Sequence, residues 1–340
     1  MDLKTWVSLQ GISGREEPVR RYAYNYCVEK LGKENVRIDK MGNIIANKKG
    51  KNDKKVMVCA HMDEVGLMVI QANDDGLLRV RAIGGIDPRV LVSKRVKVGY
   101  GEKSVDGVIG AMAIHLQNQN DRKIALPIES LYVDIGAKDK EEALKVAPLG
   151  TPITFNTPYQ PFGDGMAISR AFDDRVGCYT LARLLEADVE NDTYFVFTNQ
   201  EEVGCRGAKG AAKAVSPDVA IILEGTTAND FGDKPEVQKV CKLGKGVAIS
   251  FMDNASIAQR DMFLAFKNLA KSKAINHQIK MSVSGGNEGG VTQQAGLGVK
   301  TCVLSVPCRY IHSPSTVCAL ADVDSQYELA KAYIEKKVEE

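Results

Sequence analysis

Hydrophobic positions along the chain change their period twice. Val19, Tyr22, Ala23, Tyr26 and Cys27 recur at helical spacing. Ser13-Gly14-Arg15-Glu16 precedes them and fits a capping box, which predicts a helix capped by Ser13. Residues 36–39 and 43–47 read as a strand pair turned at Met41-Gly42-Asn43. Val56-Met57-Val58-Cys59-Ala60 is continuously apolar, the pattern of a strand buried on both faces. From about residue 65 the runs shorten. Residues 65–70, 77–83, 95–98, 104–109 and 131–135 are β-type and punctuated by Gly, Asp and Asn, and only 138–146 reads as helical. That spacing predicts a small barrel or sandwich, placed at 65–160. Beyond it, predicted helices at 174–185, 207–215, 261–273 and 322–336 alternate with predicted strands at 194–198, 219–224 and 301–306. The expected fold class is α/β: a mostly parallel sheet with helices on both faces plus an inserted β-barrel-like domain. The larger domain is then discontinuous, 1–64 and 161–340, around the 65–160 insert.

Composition narrows the setting. Lys plus Arg number 45 against 43 Asp plus Glu, a net charge of +2 that gives no reason to expect nucleic acid or an anionic membrane as partner. The first residues lack the apolar core of a signal peptide, and no stretch approaches the ~20 apolar residues of a membrane span. None of the eight cysteines forms a CxxC pair, and several sit in apolar runs. They read as reduced, buried thiols, so the expected compartment is the cytoplasm.

Ligands of open α/β sheets gather beyond the carboxyl ends of the strands. His61-Met62-Asp63 follows the run 56–60, and Asn199-Gln200-Glu201-Glu202 follows the run 194–198. Glu224 ends the run 219–223, His312 follows 301–306 after a short Pro307-Cys308 step, and Asp173-Asp174 opens a helix. Each has a bland reading alone: strand-end histidines, a solvated acid pair, a helix cap. Together, two of the four histidines converge with carboxylates on one sheet edge. Imidazole and carboxylate suit zinc and similar ions. His61, Asp173, Glu202, Glu224 and His312 are enough ligands for two metals, and Glu201 is left over as a general base. His115 and His277 lack acidic neighbours and read as structural or surface residues.

These segments resemble a known family. Cys59-Ala60-His61-Met62-Asp63-Glu64-Val65-Gly66 is similar to the first metal motif of the tetrahedral (TET) aminopeptidases, a group that includes glutamyl and deblocking aminopeptidases and whose members are sometimes labelled endoglucanase or cellulase. Phe172-Asp173-Asp174-Arg175, Glu201-Glu202-Val203-Gly204-Cys205-Arg206-Gly207-Ala208 and Arg309-Tyr310-Ile311-His312-Ser313-Pro314 resemble its later motifs, so nearly the whole chain is covered. The resemblance implies a zinc-peptidase-like fold and a metallo-aminopeptidase that removes N-terminal residues from short peptides. It implies two divalent ions per subunit (zinc, cobalt or manganese), with His61 and Glu224 on one, Glu202 and His312 on the other, and Asp173 bridging. It implies Glu201 as general base on a metal-bridging water and Asp63 as the carboxylate orienting His61. It further implies that the insert dimerises and that dimers build a twelve-subunit particle.

Three departures from the family's pattern stand out. Glu224 replaces a frequent Asp, Gly285-Gly286-Asn287-Glu288 replaces Gly-Gly-Thr-Asp, and Ser315-Thr316 replaces an apolar-acid pair. The rivals are a carboxypeptidase or aminoacylase with the same type of metal site, a catalytically decayed assembly protein, and a glycosidase. A glycosidase would leave His61 and His312 idle, and Trp6 is the sole tryptophan to stack on sugar.

Overall fold

The computed structural model describes residues 1–338 except 234, 236, 237, 282 and 284. Helices α1 (Leu3–Ser8) and α2 (Glu17–Leu31) lead into strands β1 (Val36–Ile38), β2 (Ile44–Lys48) and β3 (Asn52–His61). The predicted capping box does not form. The helix opens three residues later, at Glu17, with Pro18 in its first turn and no side-chain cap. Ser13 instead donates to Asp63, and Glu16 accepts the N–H groups of Gly14 and Gln200. Tertiary partners took both halves of a motif that local spacing assigned to a cap.

After β3 the chain leaves the sheet. Strands β4 (Gly66–Ala72), β5 (Leu78–Ile83), β6 (Arg95–Val98), β7 (Val105–Gly110), β8 (Tyr132–Asp134) and β9 (Pro152–Phe155) close a barrel in the order β4-β5-β8-β7-β6-β9. Helix α3 (Lys140–Val146) precedes β9. Alternating residues such as Leu67 and Val69, Leu78 and Val80, and Val96 and Val98 point into a separate apolar core.

The chain then rejoins the large sheet through β10 (Gln160–Phe162) and β11 (Met166–Ser169), followed by α4 (Phe172–Leu184), β12 (Asn191–Thr198), α5 (Arg206–Val215) and β13 (Val219–Thr227). Strand β14 (Val247–Ser250), α6 (Arg260–Ser272), β15 (His277–Ile279), α7 (Gly289–Thr292), β16 (Lys300–Arg309), β17 (Thr316–Ala319) and α8 (Leu320–Ile334) complete it. The main path of the sheet runs β1-β2-β12-β3-β13-β16-β17-β11-β10, with β14 and β15 attached beside β16. Strands β12, β3, β13 and β16 are mutually parallel, and antiparallel pairs flank them. The expected α/β class is observed, parallel at the centre where the site lies.

The apolar run in β3 is split between two cores. Val56, Val58 and Ala60 pack with residues of α2, α4, α6 and α8, while Met57 and Cys59 face α5. A strand covered on both sides needs no polar face, which is why its sequence does not alternate. β13 and β3 pair only from Val219/Val56 to Ile222/Cys59. Pairing therefore ends two residues before both Glu224 and His61, and the gap between those strands is where the functional side chains gather.

Candidate active site

The parallel centre of the sheet delivers its carboxyl ends to one edge. His61 is the last residue of β3, Glu224 lies near the end of β13, and Glu201 and Glu202 occupy the turn from β12 into α5. Asp173 enters at the start of α4, in non-helical backbone before a cis Asp173–Asp174 peptide, and His312 follows β16. Ala171, Gln200, Cys205, Tyr310 and His312 all adopt positive φ. Non-glycine residues rarely do so, and such backbone clusters around functional sites.

All six predicted ligand and base residues meet at one cavity of about 370 Å³. His61 Nε2 lies 3.5 Å from Asp173 Oδ1 and 3.6 Å from Glu224 Oε2. His312 Nε2 lies 3.5 Å from Asp173 Oδ2 and 3.3 Å from Glu202 Oε2. Asp173 thus turns one carboxylate oxygen toward each histidine. Glu201 Oε2 stands 3.9 Å from His61 Nε2. Glu224 reaches the cluster despite lying on a different strand from His61.

A second layer fixes these groups. His61 Nδ1 is 3.0 Å from the backbone carbonyl of Asp63 and 3.5 Å from its carboxylate. Either acceptor holds a proton on Nδ1 and leaves Nε2 free to ligate. The Asp63 carboxylate itself accepts from Ser13 Oγ and from the N–H groups of Glu201 and Glu202. Asp174, which the sequence marks only as half of a cap pair, accepts the His61 N–H and the Gly177 N–H. Beneath them Arg175, fully buried, donates to the carbonyls of Met62, Trp6 and Leu9, and Glu64 accepts from Arg170.

The electrostatics are those of a cluster built around positive charge. Burial raises Glu202 to about 8 and Glu224 well above the ordinary carboxylate range. Burial opposes charge on the histidines too, yet the surrounding acids win. Asp173 and Glu202 lift His312 to about 9, and Asp173 and Asp63 lead in lifting His61. Asp173 is held low despite its burial by the two imidazoles it faces.

The residues fit divalent metal on three counts. Three sets, His61/Asp173/Glu224, Asp173/Glu202/His312 and His61/Glu201/Glu202, each bring their ligand atoms within 4.8 Å of one another. Asp173 Oδ1 and Glu224 Oε1 are buried without a hydrogen-bond partner. Ligands held tetrahedrally at ~2.0–2.1 Å from zinc lie about 3.3–3.4 Å apart, close to the 3.3–3.6 Å separations within this cluster.

Outside the cluster, His115 is exposed in a short 3-10 turn of the barrel domain, and His277 Nδ1 rests on the Ile275 carbonyl. Several contributors carry no functional signal in the sequence. Ser13 and Glu16 have the spacing of a cap, and Lys280, which lines the cavity, follows β15 without any motif. The eight cysteines are free thiols, all buried except the half-buried Cys205. Among the described residues no helix is long and apolar enough to cross a membrane.

Known proteins are similar to this chain over nearly its whole length. A lysyl aminopeptidase of Pyrococcus furiosus is 34% identical over 340 residues, covering 98% of this chain and 96% of its own. A glutamyl aminopeptidase of Lactococcus lactis is 33% identical, covering 94% and 91%. The solved TET1 peptidase of Pyrococcus horikoshii, described as assembling into a tetrahedron or a large octahedral shell, superposes with a TM-score of 0.85 at 33% identity over 98% of each chain. The profile of the M42 glutamyl aminopeptidase family matches residues 42–329. With that match over most of its length, the chain belongs to the M42 glutamyl aminopeptidase family and is a peptide hydrolase.

Proposed function

We propose that the chain is a dinuclear aminopeptidase that trims short peptides from a free N-terminus. The observation that carries this reading is Asp173, whose two oxygens face His61 and His312 at 3.5 Å each and so belong to both ligand sets. His61, Asp173 and Glu224 would hold one divalent ion, and Asp173, Glu202 and His312 the other. When bound, the ions supply Lewis-acid polarisation and make water acidic enough to react near neutral pH.

The protein's own part is positioning and proton movement. Glu201 Oε1 accepts from the Cys205 thiol, which leaves Oε2 facing the cluster. Oε2 takes the proton of the attacking water and returns it to the departing amine. Asp63 holds the backbone of Glu201 and Glu202 from below, and it sets the His61 tautomer together with its own carbonyl. Zinc, cobalt and manganese all suit this donor set. The free thiols accord with a cytoplasmic setting.

The 65–160 insert is proposed as the dimerisation domain of a particle of twelve subunits. Its 112–124 segment exposes Met112, Ile114, Leu116 and Ile124, an apolar surface suited to a second copy. The two curated relatives carry opposite charges in their names, lysyl and glutamyl, so family membership leaves the preferred N-terminal residue open.

The test strips the purified protein with a chelator and restores zinc, cobalt or manganese. Each sample meets amino-acid p-nitroanilides, their N-acetylated forms and carboxymethyl cellulose. Metal-dependent release from free-amine substrates alone is expected. Cleavage of blocked substrates, or no release with any metal, would overturn the reading.

A further inference from the structure

The cavity has two chemically different parts to its lining. One is the acid and histidine cluster. The other includes Thr226, Thr227, Val240 and Ile311, with Lys280. Lys280 is only 7% exposed, yet it lines the cavity. Among the described residues no carboxylate lies within ion-pair distance of its ammonium, and three acids of the surrounding loops are engaged elsewhere. Arg309 takes Asp230, Asn287 and Ser256 take Asp253, and the N–H groups of Gly244 and Gly246 take Asp322.

Lysine is seldom buried to this degree, and the cavity is where this side chain meets a partner. An anion that enters the cavity would pair with it. When the α-amine of a peptide sits at the acid cluster, the remainder of its first residue has the rest of the cavity to occupy. Resting on the aminopeptidase reading, we propose that Lys280 is the specificity residue of this enzyme, and that it selects peptides whose N-terminal side chain is a carboxylate, glutamyl or aspartyl. A lysyl or arginyl side chain would meet like charge there and be rejected.

A carboxylate could also come from the C-terminus of a very short peptide, and the experiment separates the two sources. Glutamyl-, aspartyl-, leucyl- and lysyl-p-nitroanilides carry no C-terminal carboxylate, whereas Leu-Leu and Leu-Leu-amide differ only there. The metal-restored wild type should give its highest kcat/KM with glutamyl and aspartyl anilides. Lys280→Met should lower the glutamyl-to-leucyl ratio by about 30-fold or more, the scale of losing a desolvated charge pair. Lys280→Glu should turn the preference toward lysyl, and Lys280→Arg should keep it acidic.

A wild type that prefers leucyl or lysyl anilide overturns the proposal while leaving the aminopeptidase reading intact, and needs no variant to fold. So does a Lys280→Met enzyme of unchanged glutamyl-to-leucyl ratio, whether all rates hold or all fall together. Loss by that variant of Leu-Leu relative to Leu-Leu-amide overturns it too, by reassigning the lysine to the C-terminus. Failure to cleave any free-amine substrate condemns the aminopeptidase reading itself.

Discussion

Asp63 Oδ1 accepts the backbone N–H of Glu201 at 3.0 Å, so the segment that follows His61 also fixes the residue proposed to move the proton. The other oxygen accepts from Glu202 N–H at 3.1 Å and from Ser13 Oγ at 2.6 Å. One buried carboxylate thus ties β3, the β12–α5 turn and the N-terminal segment together. Asp63→Asn keeps the shape but turns one acceptor into a donor facing N–H groups. Metal affinity and kcat should each fall by about 10- to 100-fold, the usual cost of losing such support. Metal titration and steady-state kinetics check this, and values within about threefold of wild type would show that Asp63 only fills space.

The proposal gives Glu201 a different role from its neighbour. Glu202 lies 3.3 Å from His312 Nε2, while Glu201 Oε2 approaches His61 only to 3.9 Å. Glu201→Gln preserves size and the contact with Cys205 but removes the basic oxygen. Bound metal should stay at the wild-type level by elemental analysis, and kcat should drop by roughly 10²- to 10⁴-fold. A variant that loses metal in proportion to activity would make Glu201 a ligand instead.

The parts of this fold that sequence reveals are the parts governed by short period. The run 56–60 announces a doubly covered strand, and the structure splits it between two cores. The helices expected near 174, 207, 261 and 322 start within a residue or two of those positions. The acids and histidines at strand ends can be found because parallel strands send all their carboxyl ends to one edge. What escapes depends on partners far along the chain. Ser13 and Glu16 satisfy the capping pattern but bond to Asp63 and Gln200, 50 and 184 residues away. Arg175 serves the carbonyl of Trp6, 169 residues distant. Local spacing carries no record of such bonds, and Lys280 stands in no motif at all.

Arg175 should prove the most costly of these to remove. Its guanidinium is fully buried and donates to Met62 O and Trp6 O at 2.9 Å, Leu9 O at 2.7 Å, and Gly11 O and Glu64 Oε1 at 3.4 Å. Arg175→Met matches the volume but strands those acceptors away from water. Denaturant unfolding should show a loss of about 3–5 kcal/mol. Arg175→Lys should recover little, because an ammonium cannot span acceptors arranged for a planar fork. Near-wild-type stability in either variant would mean the acceptors find other donors.

Glu16 gives the protein a pH-dependent component of stability that can be isolated. Burial, with help from the negative charge of Asp63, raises its carboxyl from 4.5 to about 7, although the N–H groups of Gly14 and Gln200 favour the charged form. The folded state therefore binds this proton more tightly than the unfolded chain does. The contribution is fully present below about pH 4.5 and is lost as pH rises through about 7. Glu16→Gln cannot titrate, and other groups largely cancel when the two proteins are compared. The unfolding free energy of wild type minus that of the variant should fall by about 2–3 kcal/mol between pH 5 and pH 8, on the scale of 1.36 kcal/mol per pKa unit. A flat difference would mean that the Glu16 carboxyl titrates alike in the folded and unfolded chain. A rise with pH would mean that the two N–H donors outweigh its burial.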